Sequence, residues 1–266
     1  MLSAAPADDP SNDRWVLSDD GGIRTDLARL TRGSEHADHI EMAGRTVNAI
    51  VKWKVSADGS VSLDRWVRWP MLREKKDDTH AAVNHSFLSA KDPLPTVDGA
   101  PYQPQKVTAF KIHGMLSWIE QGEKIAVTRT VFPSQHLPCL IERWEIRNTS
   151  KVPVELNVPV DPVEETFPRE KFLWAAHIMR TQWINGGRHR VMPGESLLAG
   201  MVFSSREENQ AAVFPDLAAE WAARSAFLAG LESSLVLSTG NPAIDRMFAF
   251  AKIRGAENVL ATRGGL

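Results

Sequence analysis

The sequence predicts a mainly β protein, an antiparallel β-sandwich followed by C-terminal helices. Three observations predict it. Short segments between Arg45 and Ser204 alternate apolar and polar residues with period two, the signature of strands with one buried face. Turn signals separate them, and no helical stretch intervenes to make a β-α-β unit. After Ser204 the spacing changes to three and four residues.

The first hairpin spans residues 45 to 69. Val47, Ala49, Val51, Trp53 and Val55 share one face. Ser56-Ala57-Asp58-Gly59-Ser60 turns the chain, and Val61 to Trp69 returns until Pro70 stops it. Residues 71 to 105 read as irregular, a loop long enough to cover something. Strands resume over Lys106 to His113, Met115 to Glu120 and Lys124 to Phe132. In Cys139 to Asn148 the residues Leu140, Glu142, Trp144 and Ile146 fall on one face. Val152 to Val160 contains Pro153 and Pro159 and is expected at an edge or a bulge. Asp161 to Lys171 is acidic and Pro-broken, so a loop is expected. Ala175 to Ile184, Arg188 to Met192 and Ser196 to Ser204 complete the strands.

Residues 207 to 231 have helical composition, split by Pro215. Leu235-Val236-Leu237 is an extended link. The last helix opens with Asn241 as cap, Pro242 at its first position and Asp245 in its first turn, with a stop expected at Gly264-Gly265. It carries two apolar stripes: Ile244, Met247, Phe248 and Ala251, and beside it Phe250, Ile253, Ala256 and Leu260. A helix apolar on so much of its surface is normally covered on more than one side. One sandwich face covers only one, so further protein is expected on residues 241 to 266.

Composition narrows the function classes. Apolar residues at 43% and charged residues at 24% are ordinary for a folded globular chain of 266 residues. A net charge of −2 with both signs interspersed argues against a nucleic-acid partner. No apolar run nears the roughly 18 residues of a membrane span. Residues 1 to 20 read as a disordered lead-in, or as what remains after a trimmed signal. The compartment stays open between cytoplasm and periplasm or export. Cys139, the single cysteine, sits in an apolar run and reads as a buried inert thiol. Nine Trp against one Tyr fit both a wide sandwich core and sugar stacking.

The segment from Leu231 to Asp245, followed by Phe248 and Ala251-Lys252-Ile253, resembles the linker and first barrel helix of six-hairpin glycosidases. Asp38 to Gly44, Arg68 to Arg73 with Asp78-Thr79-His80, and Pro193-Gly194-Glu195-Ser196 resemble the N-terminal sandwich of bacterial members. The resemblance implies a galactose-mutarotase-like β-supersandwich over residues 21–205, and a helical linker plus first barrel-like helix over 206–266. In that superfamily the acid and base carboxylates lie in the (α/α)6 barrel. The sequence stops just inside it, so no catalytic residue carries over.

Glycoside hydrolysis needs two carboxylates flanking one bond. The densest local supply is residues 161 to 170, with Glu164 and Glu165 as fallback catalytic residues and Arg169 and Trp174 as sugar-contacting candidates. His80, and beside it Asn84-His85, offer acid–base chemistry in the long loop after the hairpin. His36 and His39 with their acidic neighbours suggest no metal, because no helical stripe presents them together. Gly194 to Gly200 does not match G-x-S-x-G, and phosphate-binding glycine motifs are absent, so no cofactor is expected. The expected function is the non-catalytic sandwich of a glycoside hydrolase, scaffolding the barrel and bordering the sugar site. The alternatives are a stand-alone small glycosidase or mutarotase, and a carbohydrate-binding or assembly module. Expected partners are an oligosaccharide or glycoside, and a barrel domain or second subunit on residues 241–266.

Overall fold

A computed structural model describes residues 15–18, 21–26, 35–73, 82–169 and 175–262. In chain order the strands are β1 (Val16–Leu17), β2 (Ile23–Asp26), β3 (His36–Ala43), β4 (Asn48–Val55), β5 (Val61–Arg73) and β6 (Ala82–Leu88). A 3-10 turn, Ser89–Lys91, leads to β7 (Thr96–Val97) and β8 (Ala100–Pro101). Then come β9 (Val107–Ile112), β10 (Leu116–Gln121), β11 (Ile125–Pro133), β12 (Cys139–Asn148) and β13 (Val154–Val158). The series closes with β14 (Val163–Phe167), β15 (His177–Ile184), β16 (Gly187–Val191) and β17 (Ser196–Glu207). Two helices follow, α1 (Leu217–Ser234) and α2 (Pro242–Ala256).

The strands form an antiparallel sandwich. One sheet has nine strands in the order β1-β2-β9-β10-β11-β12-β17-β15-β14. Two four-stranded sheets, β3-β4-β5-β6 and β16-β13-β7-β8, pack apolar residues into the same core. Their inner faces share one core that includes Val51, Trp53, Trp69, Phe110, Trp144 and Phe203. Trp53 stacks on Phe110 at 5.0 Å, and Trp15 meets Trp53 edge-on at 6.4 Å. The ordered fold thus includes Trp15 to Leu17, within the segment expected as a lead-in.

The inner faces that the alternation assigns to β4 and β12 are buried, and so are Asn48, Cys139 and Ile141 on the outer faces. Val47, Ala49, Val51 and Val55 are fully buried. Elsewhere the structure corrects the sequence reading. Pro70 does not stop the return strand. β5 runs to Arg73, and a register shift between Trp69 and Arg73 takes up the proline's missing donor. The irregular stretch 71 to 105 contains β6, β7 and β8. Val154–Val158 is no edge strand. It lies between β16 and β7, with Pro153 and Pro159 just outside its ends. The acidic segment expected as a loop holds a strand, β14, at the end of the large sheet, paired with β15 from Val163↔Thr181 to Phe167↔His177. His36 and His39 stand on opposite faces of β3, a strand the reading did not identify.

The helices dock differently from one another. Residues 207 to 216 are not helical. Asp216 caps α1 by accepting from the Ala218 and Ala219 amides at 2.9 and 3.0 Å. Leu217 and Trp221 pack on the outer face of the large sheet over Phe132, Cys139, Ile141 and Val202. Gly200 makes the approach possible, since a Cβ there would lie 2.5 Å from a Leu217 methyl. Asn241 caps α2 as expected. The helix ends at Ala256, well before the glycine pair, because the chain turns away to place the Ala261 amide on the Arg45 carbonyl at 2.7 Å. Of the two stripes the sandwich covers one. Ile253 is buried and Phe250 packs on the main core, while Ile244 and Met247 are 43% and 67% exposed.

Candidate functional site

Charged residues occupy core positions in four strands. Arg65 has the same parity as Leu63 and Val67 on β5, and Glu142 the same as Leu140 and Trp144 on β12. Arg129 and Glu120 do likewise on β11 and β10. Strand pairing aligns Trp118, Arg129 and Trp144 in one cross-strand row. The Arg129 guanidinium lies over both indoles, 4.8 and 4.2 Å from their centroids.

The network is nearly closed. Arg129 donates from Nε to Glu142 at 2.7 Å and from Nη1 to Glu120 at 2.8 Å. Glu142 also accepts from Arg65 Nε at 2.7 Å and Trp144 Nε1 at 2.9 Å. Glu120 accepts from the Tyr102 hydroxyl at 2.5 Å, the Trp118 indole at 3.0 Å and the Gln105 amide at 3.2 Å. Burial would raise the Glu142 pKa, but Arg129 and Arg65 outweigh it and hold the carboxylate ionised. Burial and the Glu120 charge push the Tyr102 hydroxyl up.

Asp92 is the open end. It follows the 3-10 turn and, among the described residues, accepts only from Arg65, from Nη1 at 3.2 Å and Nη2 at 2.9 Å. Its side chain is 4% exposed. A carboxylate has about four acceptor sites, so two remain unspent. Burial pushes its pKa up to about 6 against the pull of Arg65, and the nearby Glu142 charge adds to the rise.

Two cavities meet at this residue. On one side a chamber of about 330 Å³ is lined by Asp92, Trp118, Glu120, Arg129, Leu94 and Gln105. That size falls at the lower end of small-molecule sites. On the other side a crevice of about 70 Å³ is lined by Asp92, Lys91, His85, Glu165, Phe87 and Met179. Glu165 Oε2 lies 3.9 Å from His85 Nε2 across it.

The expected site residues are thus partly brought together. Successive strand residues point to opposite faces, so Glu164 and Glu165 cannot flank one bond from β14. Glu165 looks into the crevice. Glu164 lies on the other face, 2.5 Å from Arg180 Nη1 and 3.8 Å from Arg206 Nη2. Arg169 is exposed beyond the strand. His80 and Trp174 lie outside the described residues. Asp92, Arg65, Arg129 and Glu120 were missed. The readable signal was a charge at the apolar parity of an alternating strand, which in Glu142 is plain from the sequence. Among the described residues no group of three His, Cys, Asp or Glu side chains is placed to hold a metal.

No family model matches the sequence, and no curated protein matches it.

Proposed function

We propose that this chain is the sandwich portion of a carbohydrate-active protein of the six-hairpin glycosidase kind, one that binds sugar at Asp92 and carries a helical domain on α2. The observation that carries the reading is a carboxylate with unspent acceptor capacity in the wall of a chamber that also presents Trp118 and Arg129. An indole suits the apolar face of a pyranose, and the charged groups suit its hydroxyls. The network around Asp92 is committed to itself, which supports a binding role over catalysis by the chamber.

The test is a tryptophan-fluorescence titration with glucose, galactose, xylose, N-acetylglucosamine and their β-1,4 disaccharides. Saturable quenching by at least one is expected. Asp92→Ala should weaken it about tenfold, the loss of one or two hydrogen bonds to a charged acceptor. Absence of saturation with every sugar would overturn the reading.

One observation favours a second reading, a small stand-alone glycosidase. Asp92, held protonated up to about pH 6, and Glu165 line the same crevice, an arrangement in which one carboxyl can serve as acid and the other as base or nucleophile. Hydrolysis of nitrophenyl glycosides that Glu165→Gln abolishes would establish it in place of the first.

A further inference from the structure

The outer face of the β3-β4-β5-β6 sheet, away from Asp92, has its own relief. Register places His39, Lys52, Asp64 and Leu88 in one row across all four strands. Ala37, Lys54 and Ser62 form the row beside it. Between them runs a groove of about 520 Å³. Trp53 and Leu63 also border it, but both point into the core and are at most 4% exposed, so they contribute backbone to its floor. The groove crosses three interstrand spacings, about 14 Å. His39 also borders a second hollow of about 330 Å³, which Phe250 and Arg254 of α2 close.

The groove surface is mainly apolar, and the charges on its rim are balanced. Lys52 Nζ lies 3.8 Å from Asp64, too far for a hydrogen bond, and the Lys52 side chain is 55% exposed. Lys54 pairs with Glu35 at 2.8 Å. Donors and acceptors alternate without an excess of either charge, which suits a neutral polyhydroxyl ligand over an anion. One pleat along β5 from Asp64 stands Trp66, half-buried on the outer face between Ile50 and Ser86. Among the described residues its indole has no hydrogen-bond partner. The core does not need it there, since Arg65 and Val67 on either side face inward.

We propose that this face is a second, surface saccharide site that holds an oligosaccharide across the strands, with Trp66 as stacking wall and Lys52, Asp64 and His39 as hydrogen-bonding rim. It goes beyond the reading of the Asp92 chamber and is separated from it by a wall in which the Leu63 amide donates to Ser89 Oγ at 2.9 Å.

The test is native affinity electrophoresis of the whole chain through gels containing xylan, hydroxyethyl cellulose, soluble starch or a β-1,3-glucan. Retardation by at least one polymer is expected. Trp66→Ala should weaken it about tenfold or more, through loss of the indole's contact area. In Asp92→Ala, which removes the chamber's contribution, retardation should persist and should still be lost on adding Trp66→Ala. Circular dichroism checks each fold. Should Trp66→Ala fail to fold, the outer-face pair Lys52→Ala with Asp64→Ala decides instead, and the same loss is expected. The proposal is overturned by absence of retardation in all four gels, or by retardation in the Asp92→Ala background that the surface variants leave unchanged. Retardation lost only in Asp92→Ala would assign binding to the chamber and remove the surface site.

Discussion

At the scale of single residues, the most informative group is Asp92. Its pKa rises from an ordinary 3.8 to about 6, so the folded state holds its proton more tightly than the unfolded chain does. The stability from that proton is fully present below 3.8 and is lost as pH rises through about 6. Glu142 works oppositely. Its pKa is lowered, so its contribution is present above its ordinary 4.5 and lost only as pH falls through its lower folded value. The two windows separate, and Asp92→Asn should isolate the first. The variant's melting temperature minus that of the wild type should climb from pH 4 to about pH 6 and then level off. A difference independent of pH would mean that Asp92 ionises freely. Cys139 behaves as its apolar neighbours imply: it is fully buried, and burial pushes its thiol up, away from the reactive thiolate.

At the scale of elements, α2 and β14 show what periodicity can and cannot say. The two stripes of α2 are legible in the sequence, and so is its Asn241 cap. Which stripe the sandwich covers is not, because that depends on where the helix lands. Ile244 and Met247 remain exposed, and Leu235 and Val236 in the preceding link are 63% and 73% exposed. Such an apolar patch favours association. Ile244→Glu with Met247→Glu should abolish any self-association seen by sedimentation velocity, and should leave the melting temperature within about 2 °C, as expected of exposed positions. Identical sedimentation of both chains as monomers would show that the patch does not self-associate. β14 is the opposite case. Its proline-flanked acidic sequence reads as loop, and pairing with β15 overrides that local preference although four of its five residues are exposed.

At the scale of the whole molecule, one arginine joins the helices to the sandwich. Arg224 of α1 is fully buried and donates to the Ala43 carbonyl at the end of β3 at 3.0 Å and to the Gly114 carbonyl between β9 and β10 at 2.6 Å. It also pairs with Glu257, just past α2. Four segments thus meet at one side chain. Removing Arg224 leaves the buried Glu257 carboxylate with only the more exposed Arg254 guanidinium, 2.5 Å away, to compensate it. Arg224→Met should therefore cost about 3–5 kcal/mol in urea unfolding, and adding Glu257→Gln should recover part of it. Equal stabilities for wild type and Arg224→Met would mean that α1 and α2 are held by apolar packing alone. The antiparallel class and the switch to helices were legible beforehand, whereas the order of strands in the sheets was not. The charge network was not, because its members are distant in sequence: Arg65 and Glu142 are 77 positions apart.

The sequence by itself determined what depends on neighbours a few residues away: the alternation that buries Val47 to Val55, the hairpin turns, the helix caps and the inert setting of Cys139. Only the tertiary structure decided which carboxylates meet which guanidiniums, that Glu164 and Glu165 part company, and that Asp92 stands alone between two cavities. The reason is physical. Strand and helix periods record which side of an element is apolar, whereas the ionisation and remaining hydrogen-bonding capacity of a side chain depend on groups brought to it from other strands.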